Sequence, residues 1–146
     1  MRTGYLLLAL AGGAMLPLQA GINAQLARWI DGPVRAALVS FAVGALALLA
    51  ITLVADRGRP ADDLGGAPWW VWTGGFLGAF YVFTSIAAAP RLGAAALIGA
   101  ILAGQAVAAL AVDHFGWVGF PESPVTPAKV LGLALVAGGL LVMRVV

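Results

Sequence analysis

The chain contains no cysteine. That removes disulfide frameworks, thiol nucleophiles and thiolate metal sites from consideration. One histidine, His114, stands without a second ligand cluster, so a metal ion has little to bind. Charge is scarce: 8 Lys and Arg and 6 Asp and Glu make up 10% of 146 residues, with a formal net charge of +2. The basic residues stand singly, which leaves no footprint for nucleic acid. No acid, base or histidine sits at the centre of an apolar run, which argues against an intramembrane proton relay or ion pathway. No phosphate-binding loop, nucleophile motif or metal-ligand spacing occurs either. The sequence therefore predicts neither an enzyme nor a bound cofactor.

What the chain has instead is hydrocarbon. Hydrophobic residues make up 62% of it, and the mean hydropathy is +1.02. Soluble domains run at roughly 45–50% apolar and about 25% charged. Such a surplus must face lipid or another protein, so the sequence predicts an all-α integral membrane protein with no room for a soluble domain. A crossing helix needs about 20 apolar residues, and five segments qualify: 4–27, 34–55, 68–89, 92–112 and 127–145. Arg2 followed by the run from Tyr5 to Leu16 has the look of a signal peptide. The run continues to Ala27, however, and everything after it is membrane-like, so it is read as the first span. A membrane barrel is excluded because barrel strands alternate apolar and polar residues, whereas these runs are continuous and rich in Ala, Leu and Gly.

Punctuation between the spans is short. It comprises Asp31-Gly32-Pro33, then Asp56 to Pro60, then Pro90-Arg91, then Phe115 to Thr126. Pro33, Pro68 and Pro127 fall where a helix accepts proline, in its first turn. Trp69, Trp70 and Trp72 open the third span as an interfacial belt would. The Pro90-Arg91 connection implies an antiparallel hairpin of the third and fourth spans.

Five crossings put the termini on opposite sides. Arg2, Arg57, Arg59 and Lys129 then face one side and Arg28, Arg35, Arg91 and Arg144 the other, four against four. Orientation follows Lys/Arg bias, and here there is none. That balance points to insertion in both orientations and to pairing with an inverted copy, which would supply the inverted repeats common in transporters. The 20 glycines suit close helix packing in lipid. They include Gly74 and Gly78 on the third span and Gly132 and Gly139 on the fifth, with an Ala96, Ala100, Gly104 series on the fourth.

The polar residues inside the spans are few. The first carries Pro17, Gln19, Asn23 and Gln25. Gln19 and Asn23 are four apart and share a helical face, with Met15 one turn earlier. Unpartnered amides in hydrocarbon cost several kcal/mol, so they must face protein or a water-filled cavity. Pro17 removes a backbone hydrogen bond and is expected to kink the helix. Solute contact and interhelical bonding are equally good accounts of the pair. Gln105 is the amide of the fourth span. Ser40, Thr84 and Ser85 are expected to bond the carbonyls of their own helices. Asp113 and His114 end the fourth span as a boundary cap or a coupling pair.

The run from Gly13 to Ala27, with Pro17, Gln19, Gly21, Asn23 and Gln25 in place, resembles the opening of the YdcZ-like proteins of the drug/metabolite transporter superfamily. Gly104-Gln105, Asp113-His114-Phe115-Gly116, Gly132 and the Gly138-Gly139 pair resemble that family as well. The resemblance implies five-helix units in a bacterial inner (cytoplasmic) membrane, multi-pass, found singly or fused into ten-helix proteins, with opposite or dual orientation. Small multidrug resistance proteins of the same superfamily carry a proton-coupling glutamate in their first helix. This chain has no acid there, which argues against proton antiport of cationic drugs. The resulting expectation is a half-transporter acting as an antiparallel homodimer in membrane lipid. It would move a small polar or amphipathic solute by alternating access. Gln19, Asn23 and Gln105 are expected to line the path, and Met15, Tyr81 and Trp72 to shape it. The alternatives are an accessory membrane protein whose amides hold a larger partner, and a flippase for lipids.

Overall fold

A computed structural model describes residues 2–55 and 67–145, with side chains for 3–55 and 67–142. The connection 56–66, with Arg57 and Arg59, lies outside the described residues, as do the side chains of Arg2 and Arg144. All regular structure among the described residues is helical. Helix α1 spans Arg2–Trp29 and α2 spans Pro33–Ala55. A five-residue 3-10 turn, Trp69–Thr73, leads into the stretch Gly74–Phe115, which is broken at Gly93. Its two parts are α3 (74–92) and α4 (94–115). Helix α5 is Pro127–Val145. The chain divides into two compact units, Met1–Arg91 and Leu92–Val146.

Hydrocarbon surrounds these helices rather than filling a core. Leu6, Leu7, Leu8 and Leu10 point in successive directions around α1, yet are 63–70% exposed. An apolar surface of that kind must face lipid or another protein. Among the described residues three helices are long and apolar enough to cross a membrane: Thr3–Trp29, Pro33–Ala55 and the 47-residue Trp69–Phe115. At about 1.5 Å per residue the last measures about 70 Å if straight, more than twice a hydrocarbon core of about 30 Å.

The break in that stretch falls at Gly93 (φ 72°, ψ 166°), and helix continues through Pro90 and Arg91. Sequence reasoning puts the interruption at Pro90-Arg91 because proline is the stronger helix breaker. The geometry differs for a physical reason. Proline gives up one hydrogen bond but keeps a helical φ, whereas φ 72° with ψ 166° is open essentially to glycine alone. Pro17 behaves in the same way, lying inside a continuous α1. Pro68 (φ −63°, ψ 146°) is the residue that caps the 3-10 turn, not part of the first helical turn.

In the first unit the α1–α2 turn is tight. Asp31 adopts φ 55°, and the Gly32 amide donates to the Ala27 carbonyl at 2.9 Å. A left-handed residue followed by this bond is a Schellman ending of α1. It frees Pro33 to begin α2 with only three residues between the two helices. Ala36, Ala37, Val82 and Ile86 form the buried core, with Leu26, Ile30 and Tyr81 packed against it. The two alanines let the helix backbones approach closely. Gly78 faces the Phe41 ring, from which a Cβ there would lie an ordinary 3.6 Å.

In the second unit a polar clasp ties the end of α4 to the start of α5. The Ser123 amide donates to the Asp113 carbonyl at 2.7 Å. Lys129 Nζ donates to the Ser123 carbonyl (3.0 Å) and hydroxyl (2.9 Å) and lies 3.6 Å from Asp113 Oδ2. Thr126 Oγ1 accepts from the Lys129 amide at 3.3 Å, the side-chain cap expected ahead of a proline-led helix. Phe115 stacks on Trp117 with ring centroids 4.9 Å apart.

Candidate functional site

Leu16, Gln19, Ala20 and Asn23 recur at three and four residues and so share one face of α1. That face meets Tyr81, Val82, Ser85 and Ile86 of α3. Between them is a crevice of about 190 Å³, too narrow to hold a water molecule. Asn23 is 5% exposed, and its Nδ2 donates to Ser40 Oγ on α2 at 3.1 Å. A buried amide without a partner would cost several kcal/mol here, and this bond supplies one. Ser85, also 5% exposed, donates from Oγ to the Tyr81 carbonyl at 2.9 Å, one turn back in its own helix. The expectation of own-helix bonding therefore holds for Ser85 but fails for Ser40, which is an interhelical acceptor.

Gln19 differs from Asn23. It is exposed, and its side chain makes no hydrogen bond among the described residues. It lines the crevice and also an adjoining groove of about 540 Å³ along α2, shared with Ser40, Phe41, Gly44, Leu48 and Val82. The two amides that sequence reasoning treated alike are thus in separate circumstances. Asn23 is bonded between helices, and Gln19 faces open space with its amide unengaged.

The other expected site residues lie elsewhere. Tyr81 joins Gln19 and Asn23 in the crevice. Met15 is 56% exposed and Trp72 59% exposed, and neither lines the crevice or the groove. Met15 lies one turn before Gln19 on α1. Trp72 belongs to the 3-10 turn ahead of α3. Gln105 is an exposed residue of α4 in the second unit. Ser40 was overlooked as a site residue, although the sequence carried a usable signal. Asn23 precedes the end of α1 by six residues and Ser40 follows the start of α2 by seven. A tight antiparallel turn therefore sets them at equal depth. Among the described residues no group of three or more His, Asp or Glu side chains converges as metal ligands would.

Over residues 4–142 the chain matches the family described as "Putative inner membrane exporter, YdcZ". It is 36% identical to the inner membrane protein YdcZ of Escherichia coli (strain K12) over 76 residues, which is 52% of this chain and 51% of that protein. The alignment thus spans about half the length of the curated relative. No solved structure matches the chain. With long apolar helices and an inner-membrane relative, this is a multi-pass inner membrane protein. Since the match runs through nearly all of α1 to α5, the chain belongs to the YdcZ family of inner membrane proteins.

Proposed function

We propose that the chain is one half of a small solute transporter, completed by a second copy in the opposite orientation to give ten crossings. The observation that carries this reading is Gln19. It presents an amide with no partner in the described chain to a groove that opens among apolar helices. A position of that kind is costly in lipid unless something polar occupies the groove. Solute passing along α2 would do so. The exporter description of the matching family supports transport as the class of function. The even split of Lys and Arg between the two faces supports the inverted pairing. In this reading Asn23 and Ser40 hold α1 against α2 beside the path, Tyr81 borders it, and Gln105, Met15 and Trp72 meet solute or the second copy. Each protomer would rock between two accesses about a site near the midplane.

The experiment is solute efflux from proteoliposomes. Vesicles are loaded with labelled amino acids, sugars, nucleosides or guanidinium-type cations, and the class released faster than from protein-free vesicles is identified. Gln19→Leu is expected to abolish that release while the thermal unfolding midpoint stays unchanged. Full release from Gln19→Leu would remove Gln19 from the path. Reporter fusions at both termini should show each terminus on both sides of the membrane. A single orientation for the chain expressed alone would refute the inverted pairing. The second reading, an accessory protein whose amides bind a larger membrane partner, predicts instead no release of any class and co-purification of a heterologous subunit.

A further inference from the structure

The polar groove is continuous in sequence with another. A second opening of about 570 Å³ is lined by Val34, Ala37, Leu38, Phe41, Ala79 and Phe83. Phe41 belongs to both grooves. Along α2 the lining positions of the two are 34, 37, 38, 40, 41, 44, 45 and 48, which recur at three and four residues and so form one face. From Val34 to Leu48 this face runs for about 21 Å. Its chemistry changes at Phe41. On the Val34 side every lining residue is apolar, and on the other side Gln19 and Ser40 supply an amide and a hydroxyl. No ionisable side chain lines either part.

We infer that the two grooves act as one site for an uncharged amphiphile. Its neutral head of hydroxyl, ester or amide groups would bond Gln19 and Ser40, and its hydrocarbon tail would lie along Val34, Leu38 and Phe83. The inference rests on the transport reading above and names the substrate class for the same site. Three physical arguments select that class. An ion would enter without a counter-charge, at a far higher cost than a neutral polar group. A wholly polar solute would leave its donors and acceptors unmatched against Val34, Leu38 and Phe83. A plain hydrocarbon would leave the Gln19 amide unbonded. Ser40 already accepts from Asn23, so its own proton is free to be donated to a head-group oxygen. Gln19 can donate and accept at once. Phe41 is held against α3 near Gly78 and is where tail and head divide.

The test uses the full chain in phosphatidylcholine nanodiscs. The probe is a monoacylglycerol with a diazirine in a medium-length acyl chain, and adducts are mapped by mass spectrometry. Adducts are expected to concentrate on Leu38, Phe41 and Phe83. Unlabelled 1-octanoylglycerol should displace them, while glycerol, octanoate and octyltrimethylammonium should each need about tenfold more, the value of one good hydrogen bond or an avoided charge burial. Gln19→Leu should erase most of that advantage, and Gln19→Asn should retain part of it. Adducts spread evenly over lipid-facing positions such as Leu7 and Leu46 would overturn the inference. So would equal displacement by the charged competitors. A Gln19→Leu variant that displaces normally but loses its self-association would overturn it too, by assigning Gln19 to the dimer contact. The two levels fail separately. Head-group-selective labelling without efflux of any solute sinks transport and leaves the site, whereas efflux without that selectivity does the reverse.

Discussion

The bond between Asn23 and Ser40 makes the most exacting prediction. Asn23 Nδ2 lies 3.1 Å from Ser40 Oγ, with Asn23 5% exposed beside a crevice that admits no water. Hydrogen bonds between membrane helices average about 0.6 kcal/mol in double-mutant cycles and reach about 1.7. This one should fall toward the upper end, because the crevice beside Asn23 admits no water to take the place of Ser40. The single substitutions should be unequal. Ser40→Ala leaves the Asn23 amide buried and unbonded, at a cost of about 1–3 kcal/mol. Asn23→Leu leaves only a serine hydroxyl, which can turn to a carbonyl of its own helix, so it should cost less than about 1 kcal/mol. The double variant Asn23→Leu with Ser40→Ala should be less harmful than Ser40→Ala alone, with a coupling of about 1 kcal/mol. The assay is equilibrium unfolding in mixed micelles at increasing dodecyl sulfate, followed by circular dichroism. A coupling below about 0.3 kcal/mol, the level at which independent sites simply add, would refute the reasoning. So would a Ser40→Ala variant as stable as Leu46→Ala on the exposed face of α2.

Four further substitutions test the backbone and the clasp. Gly93→Ala places a Cβ on a residue at φ 72° and ψ 166° and should destabilise by about 1–3 kcal/mol in the same unfolding assay. Gly78→Ala should instead stabilise by up to about 1 kcal/mol. The added Cβ meets Phe41 at an ordinary 3.6 Å, and glycine is the poorer helix former. Val118 holds φ 50°, an unusual position for a β-branched residue. Val118→Asn should therefore raise the unfolding free energy by about 0.5–1 kcal/mol. Lys129→Met removes the bonds to Ser123 and the approach to Asp113. With both charged side chains partly exposed it should cost only about 1 kcal/mol, and faster amide hydrogen exchange over 116–126 would report the loosened connection.

What the sequence made legible was whatever depends on composition and period. Continuous runs of Ala, Leu and Gly specify helices, and the pairing of Gln19 with Asn23 on one face follows from their spacing of four. The inner-membrane placement followed from the same runs and from the motif around Pro17, and the family match agrees with it. The depth at which helices pair was harder to see. Asn23 and Ser40 are 17 residues apart, and their meeting depends on the length of the turn at Asp31-Gly32, not on either residue's neighbours. The break in the third helical stretch was misplaced because Pro90 is conspicuous and Gly93 is one of 20 glycines. Nothing local marks which glycine will take a positive φ. Trp72 lies in the 3-10 turn before α3, a place that suits the interfacial belt read from Trp69, Trp70 and Trp72.

The small core has an evolutionary consequence. Among the described residues six apolar side chains are buried, three of them alanines. The leucines, valines and phenylalanines exposed along the helices can be exchanged for one another at little cost as long as the surroundings remain hydrocarbon. Selection then presses on a scattered minority: the alanines at helix crossings, the glycine that breaks a helix, the amides and the hydroxyls they meet. Lineages of this protein should drift quickly in overall sequence while keeping that minority nearly still. Ancient relatives would then share a thin skeleton of small and polar positions beneath an almost interchangeable coat.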